Sequence, residues 1–205
     1  MRPIISNGPT SLDKARCIVA SFPDAWRGSV LDVGCRGGEL RQALKGTDII
    51  YRGLDIAAPA DIVADLDEGI PLPVDDVEVI VALDVLEHTD DIYSAFRELC
   101  RVARTCIIIS LPNNYELSAR LKHLRGRPVS GKYGLPVEPP GDRHRWFFSM
   151  SDARAFCQRR ARLEGWTLTD EGYMLGPRRA KLGPIAAIRP GLASSTYVAR
   201  FAPAR

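Results

Sequence analysis

The sequence predicts a doubly wound α/β fold: a mostly parallel, seven-stranded sheet with helices on both faces. Three observations predict it. Short apolar runs at 29–33, 49–55, 61–66, 77–83 and 106–111 recur with helical patterns or loops between them, the alternation that builds a parallel sheet. The first run ends in the glycine-bearing turn Gly34-Cys35-Arg36-Gly37-Gly38, and a helical pattern starts at once behind it. A strand that delivers a tight loop to a helix is where an open α/β sheet holds a ligand. Finally, 205 residues with 45% hydrophobic and 26% charged side chains suffice for one full core, so the chain reads as a single domain over 1–205.

The elements follow in order. Ser11 to Phe22 reads as a helix, stopped where Pro23 disfavours helix in the residue before it. Ser29 to Val33 is the first strand, and Glu39 to Lys45 the helix behind the glycine turn, closed by Gly46. Ile49 to Asp55 is the second strand and Asp61 to Leu66 the third. Only the six residues Ile56 to Asp61 connect these two, whereas a parallel crossover takes about a dozen residues, usually helical. The crossover helix is therefore expected to be missing, with an extended loop through Pro59 in its place. That would leave one flank of the sheet thinly covered, a face for a protein partner or a second copy of the chain.

Val77 to Leu83 is the fourth strand, buried on both faces after its start. Thr89 caps the next helix, whose apolar stripe Ile92, Phe96, Leu99, Ala103 is spaced for a core-facing surface. Cys106 to Leu111 is the fifth strand. Tyr115 to Arg125 reads as a basic helix, and 126–145 as a long glycine- and proline-rich loop of the kind that carries function. Ser149 or Ser151 caps a helix from Asp152 to Glu164, Trp166 to Met174 is the sixth strand, 176–190 a connection, and Ser195 to Phe201 the last strand. The organisation is thus an N-terminal segment (1–28), a ligand-binding half (29–111), a basic insertion or lid (112–148), and a late helix with closing strands (149–205).

Composition narrows the function. The five cysteines are scattered and lack a CxxC pair, which points to reduced, buried thiols rather than disulfides or zinc. No apolar run reaches the length of a membrane span, and the first residues lack a signal-like apolar core, so a cytoplasmic protein is expected. The net charge of +3 conceals an asymmetry: residues 1–100 carry 9 Lys and Arg against 18 Asp and Glu, and residues 101–205 carry 19 against 7. The later half either presents a solvated basic face or meets something anionic.

The motifs bear a resemblance. Val30-Leu31-Asp32-Val33-Gly34-Cys35-Arg36-Gly37-Gly38 resembles the first motif of class I S-adenosylmethionine-dependent methyltransferases, commonly written LD-x-GCGTG. Asp55 matches the acid that takes the ribose hydroxyls, Asp65 the acid near the adenine amino group, and Leu83-Asp84-Val85-Leu86-Glu87-His88 the D-V-L-E-H segment of many small-molecule members. The resemblance implies a Rossmann-like methyltransferase fold and S-adenosylmethionine as cofactor, with S-adenosylhomocysteine as product. The cofactor-binding set it implies is Asp32, Gly34, Cys35, Arg36, Gly38, Asp55, Ile56, Asp65, Leu66, Leu83 and Asp84, with Leu66 and Leu83 sandwiching the adenine. Arg36 departs from the pattern, which has glycine there; its side chain either folds outward, clasps the cofactor carboxylate or narrows the site.

A closer likeness covers the middle of the chain. Asp65-Leu66-Asp67-Glu68-Gly69, Leu99 to Arg104, Leu111-Pro112-Asn113, and Arg120 through Gly126-Arg127-Pro128-Val129 to Gly134-Leu135-Pro136 resemble the MetW family of methionine biosynthesis. His144 to Ser149 resembles both that family and the wider H-x-x-F-F-S/T entry to the late helix. The MetW likeness implies a second role, that of an accessory protein associated with homoserine O-acyltransferase.

Two histidines, His88 and His144, are expected at the C-terminal edge of the sheet, each a candidate general base or a structural hydrogen-bonding residue. The acceptor is expected to be a small anionic molecule, with Asn113, Arg120, Arg127 and Arg143 as its ligands in the basic segment that also holds Lys122, Arg125, Lys132 and Arg145. Nucleic acid is less favoured, because an overall pI near 8.7 is below that of a strong nucleic-acid binder. No His, Cys and acid cluster has metal-ligand spacing in sequence, so no metal is expected. A nicotinamide-dependent oxidoreductase fits the glycine turn and the ribose acid but not the later segments.

Overall fold

The computed structural model describes residues 1–128, 137–138, 143–176 and 183–204. Its strands are β1 (Arg2–Ile5), β2 (Ser29–Val33), β3 (Ile50–Asp55), β4 (Ile62–Val63), β5 (Val77–Leu83), β6 (Ala103–Pro112), β7 (Trp166–Leu175) and β8 (Thr196–Pro203). Its α-helices are α1 (Ser11–Ser21), α2 (Glu39–Ala43), α3 (Ile92–Val102), α4 (Leu117–Leu124), α5 (Met150–Leu163), α6 (Gly183–Ile188) and α7 (Pro190–Ala193). The strands form one sheet in the order β1-β7-β8-β6-β5-β2-β3-β4. All neighbours are parallel except those of β8, which runs antiparallel between β6 and β7.

The central strands read as unbroken apolar runs because helices cover both faces. With a side-chain period of two, Leu31, Val33, Ile80, Ala82, Ile107 and Ile109 join the core beneath α3 and α5, where Phe96, Leu99 and Cys157 are buried. Their alternates Val30, Val79, Val81, Cys106 and Ile108 join the opposite core with Ala15 and Ile18 of α1 and Leu40 of α2. Thr10 caps α1 in a reciprocal box with Asp13, and Ser149 caps α5 in the same way with Asp152, satisfying amide donors that the first helical turn leaves over. Cys35, Cys100, Cys106 and Cys157 are buried free thiols and Cys17 is half-buried.

Several expectations are corrected. The sheet has eight strands, not seven: β1, four residues containing Pro3, pairs with β7 at an edge, where proline is tolerated. With only Ile4 of the four buried, it has no periodic signature. The third strand shrinks from 61–66 to Ile62–Val63, because Asp61 stands exposed at its start, where its carboxylate accepts the Gly53 amide at 2.6 Å. The cap of α3 is Asp91, whose Oδ1 accepts the amides of Tyr93 and Ser94 at 2.9 and 3.2 Å; the Thr89 hydroxyl instead donates to the Leu86 carbonyl. The 176–190 connection contains α6 and runs into α7, which starts on Pro190, where the lost amide costs nothing.

Residues 56–61 contain no helix, as the length of that connection requires. Ile50, Ile56 and Val63 stand exposed along this flank. Lys132 and the Val129-to-Pro136 part of the MetW-like pattern lie outside the described residues, as do 139–142 of the basic loop and 177–182 of the late connection.

Candidate functional site

The C-terminal ends of β2, β3 and β5 meet where the strand order turns back on itself, the position at which doubly wound sheets open a crevice. After Val33 the chain turns so sharply that the Gly34 and Cys35 amides both donate to the Leu54 carbonyl, at 2.7 and 3.1 Å. Gly34 has φ +72°, and a Cβ there would lie 2.4 Å from Cγ2 of Val85; both the conformation and the space require glycine. Arg36 also has a positive φ, 46°. Its amide donates to Oδ2 of Asp55 at 2.9 Å, while Oδ1 of Asp55 accepts from Ala57 at 3.4 Å. One carboxylate therefore braces the turn after β2 and the turn after β3 together.

A cleft of about 460 Å³ lies over this junction. Of the residues named from sequence, Gly34, Arg36, Asp55, Ile56, Asp65, Leu66, Asp84, His88 and Arg143 line it. Four others of the cofactor set stand elsewhere. Cys35 and Gly38 line a neighbouring depression with Arg41 and Tyr51. Leu83 falls on the same strand face as Val79 and Val81 and packs against the α1–α2 core, so it does not face Leu66 across the cleft. Asp32 lies beneath the turn, buried, and its Oδ2 accepts the Tyr51 hydroxyl at 2.6 Å.

The acids around the cleft are tuned in opposite directions. Burial pushes Asp32 up to about 7, against the pull of the Tyr51 hydrogen bond and with the nearby charges of Glu39 and Asp55 adding to the rise. Burial would also raise Asp84, but Lys14 of α1 pairs with it and Ser110 donates to its Oδ1 at 2.9 Å. These partners, with Arg36 beyond them, hold Asp84 below the ordinary carboxylate range. Burial pushes the Cys35 thiol up to about 11, which keeps it neutral.

Residues 31–106 match the family model of a methyltransferase domain. Among solved structures, the chain is similar to a SAM-dependent methyltransferase from Archaeoglobus fulgidus, at 16% identity over 94% of each chain with a TM-score of 0.64. The fold is that of the class I methyltransferases. Magnesium protoporphyrin IX methyltransferase from Synechocystis with bound SAH is similar at 15% identity, over 95% of this chain and 82% of that one, with a TM-score of 0.61. An S-adenosylmethionine-dependent methyltransferase from Mesorhizobium loti is similar at 15% identity, over 94% of this chain and all of that one, with a TM-score of 0.59. The curated proteins give no match.

On this methyltransferase fold the acceptor-side residues fare unevenly. Asn113 is a buried brace, not a cleft residue: its Nδ2 donates to the Gly191 and Ser194 carbonyls at 2.9 and 2.8 Å, and its Oδ1 accepts the Tyr115 amide. Arg120 donates from Nε to the Tyr115 carbonyl at 2.7 Å, tying down its own helix. Arg127 is exposed beyond α4. Arg143 and Arg145 do reach the cleft lining, and Arg145 pairs with Asp90. His144 packs edge-on against His88, ring centroids 4.6 Å apart, beside the buried Glu87.

Sequence reasoning missed Tyr51, Lys14 and Glu87. Glu87 stands inside the D-V-L-E-H segment, and Tyr51 left a signal of its own. Asp32 pairs with Gly53 across β2 and β3, and a glycine opposite a buried acid leaves room for the hydroxyl of Tyr51, two residues away on the same face.

Proposed function

We propose that this chain is an S-adenosylmethionine-dependent methyltransferase acting on a small anionic molecule. The observation that carries the reading is the Asp55 carboxylate at the end of β3, on a cleft shared with the glycine turn of β2. A carboxylate offers about four acceptor directions, and two amides engage Asp55, which leaves it capacity for a pair of ribose hydroxyls. Ile56 and Leu66 supply apolar lining for an adenine, with Asp65 beside them as an acceptor for its amino group. These residues fit the cofactor. When bound, S-adenosylmethionine supplies an electrophilic methyl group on a sulfonium.

The protein's task is then to position two partners and keep water from between them. Arg143 and Arg36 on the cleft offer guanidinium groups to an acceptor carboxylate or phosphate, in keeping with the basic later half. For a carboxylate acceptor no proton has to leave, and neither His88 nor His144 needs to act as a base.

The test is calorimetry with S-adenosylhomocysteine, and with NAD as control. Wild-type protein binds the first and not the second, and Asp55→Asn weakens that binding by at least tenfold while the protein stays folded. Binding of NAD alone, or an affinity indifferent to Asp55, would count against the reading.

A second reading, an accessory protein of the MetW type, is favoured by the flank of exposed Ile50, Ile56 and Val63 beside the helix-free connection. It predicts co-purification with homoserine O-acyltransferase that is lost in Ile50→Asp, with cofactor binding unchanged.

A further inference from the structure

The turn that follows β5 carries a feature the methyltransferase reading does not use. Leu86–His88 forms one turn of 3₁₀ helix, and the segment 143–146, more than fifty residues later, is zipped against it. The Arg145 and Trp146 amides donate to the Glu87 carbonyl at 2.7 and 3.3 Å, and the Trp146 indole donates to the Thr89 carbonyl at 2.8 Å. This backbone pairing sets His144 beside His88. Nε2 of each ring stands 3.9 Å from Oε1 of Glu87, and the donor atoms of all three side chains lie within 4.8 Å of one another.

We propose that Glu87, His88 and His144 bind one divalent transition-metal ion at the edge of the cleft. Two imidazoles and one carboxylate are the donor set that zinc, and iron or manganese with open positions, take from proteins. The tautomer suits it. Nδ1 of His88 lies 3.0 Å from the Arg143 carbonyl; a carbonyl only accepts, so Nδ1 carries a hydrogen, and the neutral form of that ring has its lone pair on Nε2, the nitrogen on the Glu87 side. A ligating imidazole held through its other nitrogen by a backbone carbonyl is the usual outer arrangement of such centres.

Charge agrees as well. Glu87 is wholly buried, so its carboxylate enters the cluster screened from water, where a charge–charge attraction is stronger. Metal–donor bonds of about 2.1 Å place tetrahedral ligands about 3.4 Å apart, so the three side chains close by on the order of 1 Å around the ion. His88 is both a member of the cluster and a lining residue of the cleft, so the cluster adjoins the space assigned to the acceptor. Neither the cluster nor its charge depends on which cofactor the cleft takes.

The chain's three histidines are His88, His123 and His144, which makes the site readable without mutation. Zinc is titrated into chelator-treated, full-length protein and followed by calorimetry and by the histidine ring signals in NMR. The expected result is one ion per chain, with two imidazoles that cease to titrate with pH when zinc is present and a third, on the exposed His123, that continues. His144→Gln and Glu87→Gln each lower zinc affinity by about 100-fold or more while the zinc-free protein keeps its melting temperature within a few degrees. The backbone hydrogen bonds, not the imidazole, hold the 143–146 segment, so His144→Gln retains the fold. Absence of stoichiometric zinc binding, binding that leaves all three histidines titrating, or unchanged affinity in both variants would show a glutamate–histidine cluster that holds no metal, and would overturn the proposal.

Discussion

Asp32 and Tyr51 form a pH-sensitive pair at the root of the glycine turn, and replacing Asp32 by asparagine exposes its energetics. In the folded protein burial pushes the Asp32 carboxyl from 3.8 to about 7. A native acid that holds its proton more tightly than the unfolded chain does makes stability fall as pH rises, because the folded state binds more protons across that interval. The contribution is fully present below 3.8 and has been lost once pH passes about 7. A shift of about 3 units at about 1.4 kcal/mol each amounts to about 4 kcal/mol. Asparagine has the same shape, accepts the Tyr51 hydroxyl through Oδ1 and does not titrate. Urea unfolding of both proteins from about pH 4 to about pH 8 isolates the effect, since the other carboxylates are common to both. The wild type should lose about 4 kcal/mol relative to Asp32→Asn over that range, so that the variant becomes the more stable protein at the alkaline end. Stability curves that run parallel would refute the buried, proton-retaining acid.

Three further substitutions test other parts of the junction. Arg36→Gly relieves a left-handed backbone that costs a side chain about 1 kcal/mol, partly offset by the freedom glycine gains on unfolding; a melting temperature unchanged or slightly raised is expected. Lys14→Met removes the cation facing Asp84 and, since both side chains keep some solvent, should cost about 1–3 kcal/mol by denaturant titration. Asp84 is held low in the native protein, so its contribution is present above the ordinary carboxylate value and lost as pH falls through the native one; the variant's acid limb should be correspondingly flatter. Gly34→Ala meets both the positive φ and the Val85 methyl and should cost at least about 2 kcal/mol. Adding Val85→Ala should recover only the share due to the clash, which a double-mutant cycle measures.

The strands that were legible in sequence are those buried on both faces. Val77–Leu83 was readable to the residue because its residues, Glu78 apart, serve two cores at once. The cleft was legible where a residue's place follows from its strand: Gly34, Asp55, Asp84. Leu83 shows the limit of that reasoning, for one residue along β5 reverses the face. The rest was written in tertiary space. β1 has one buried side chain and no period of its own, Lys14 reaches Asp84 from a helix 70 residues earlier, and His144 joins Glu87 and His88 only through backbone pairing of distant turns. A spacing rule for metal ligands examines neighbours in sequence, and so it could not find the cluster.

The placement of β1 and β8 dictates an order of assembly. Among the described residues, Arg2 to Ile5 pair only with Gly172 to Leu175, and β7 reaches the rest of the sheet only through β8. As the chain leaves the ribosome, residues 2–5 wait while some 190 others are made before the strand that ties their own neighbour to the sheet appears. Until then the middle strands have an unpaired edge at β6, with the buried-to-be face of Ile107 and Ile109 open to other chains. Such late, long-range closure slows folding and lengthens exposure to aggregation. Truncations on the C-terminal side of β7 should therefore yield insoluble protein even though they leave every cleft residue in place.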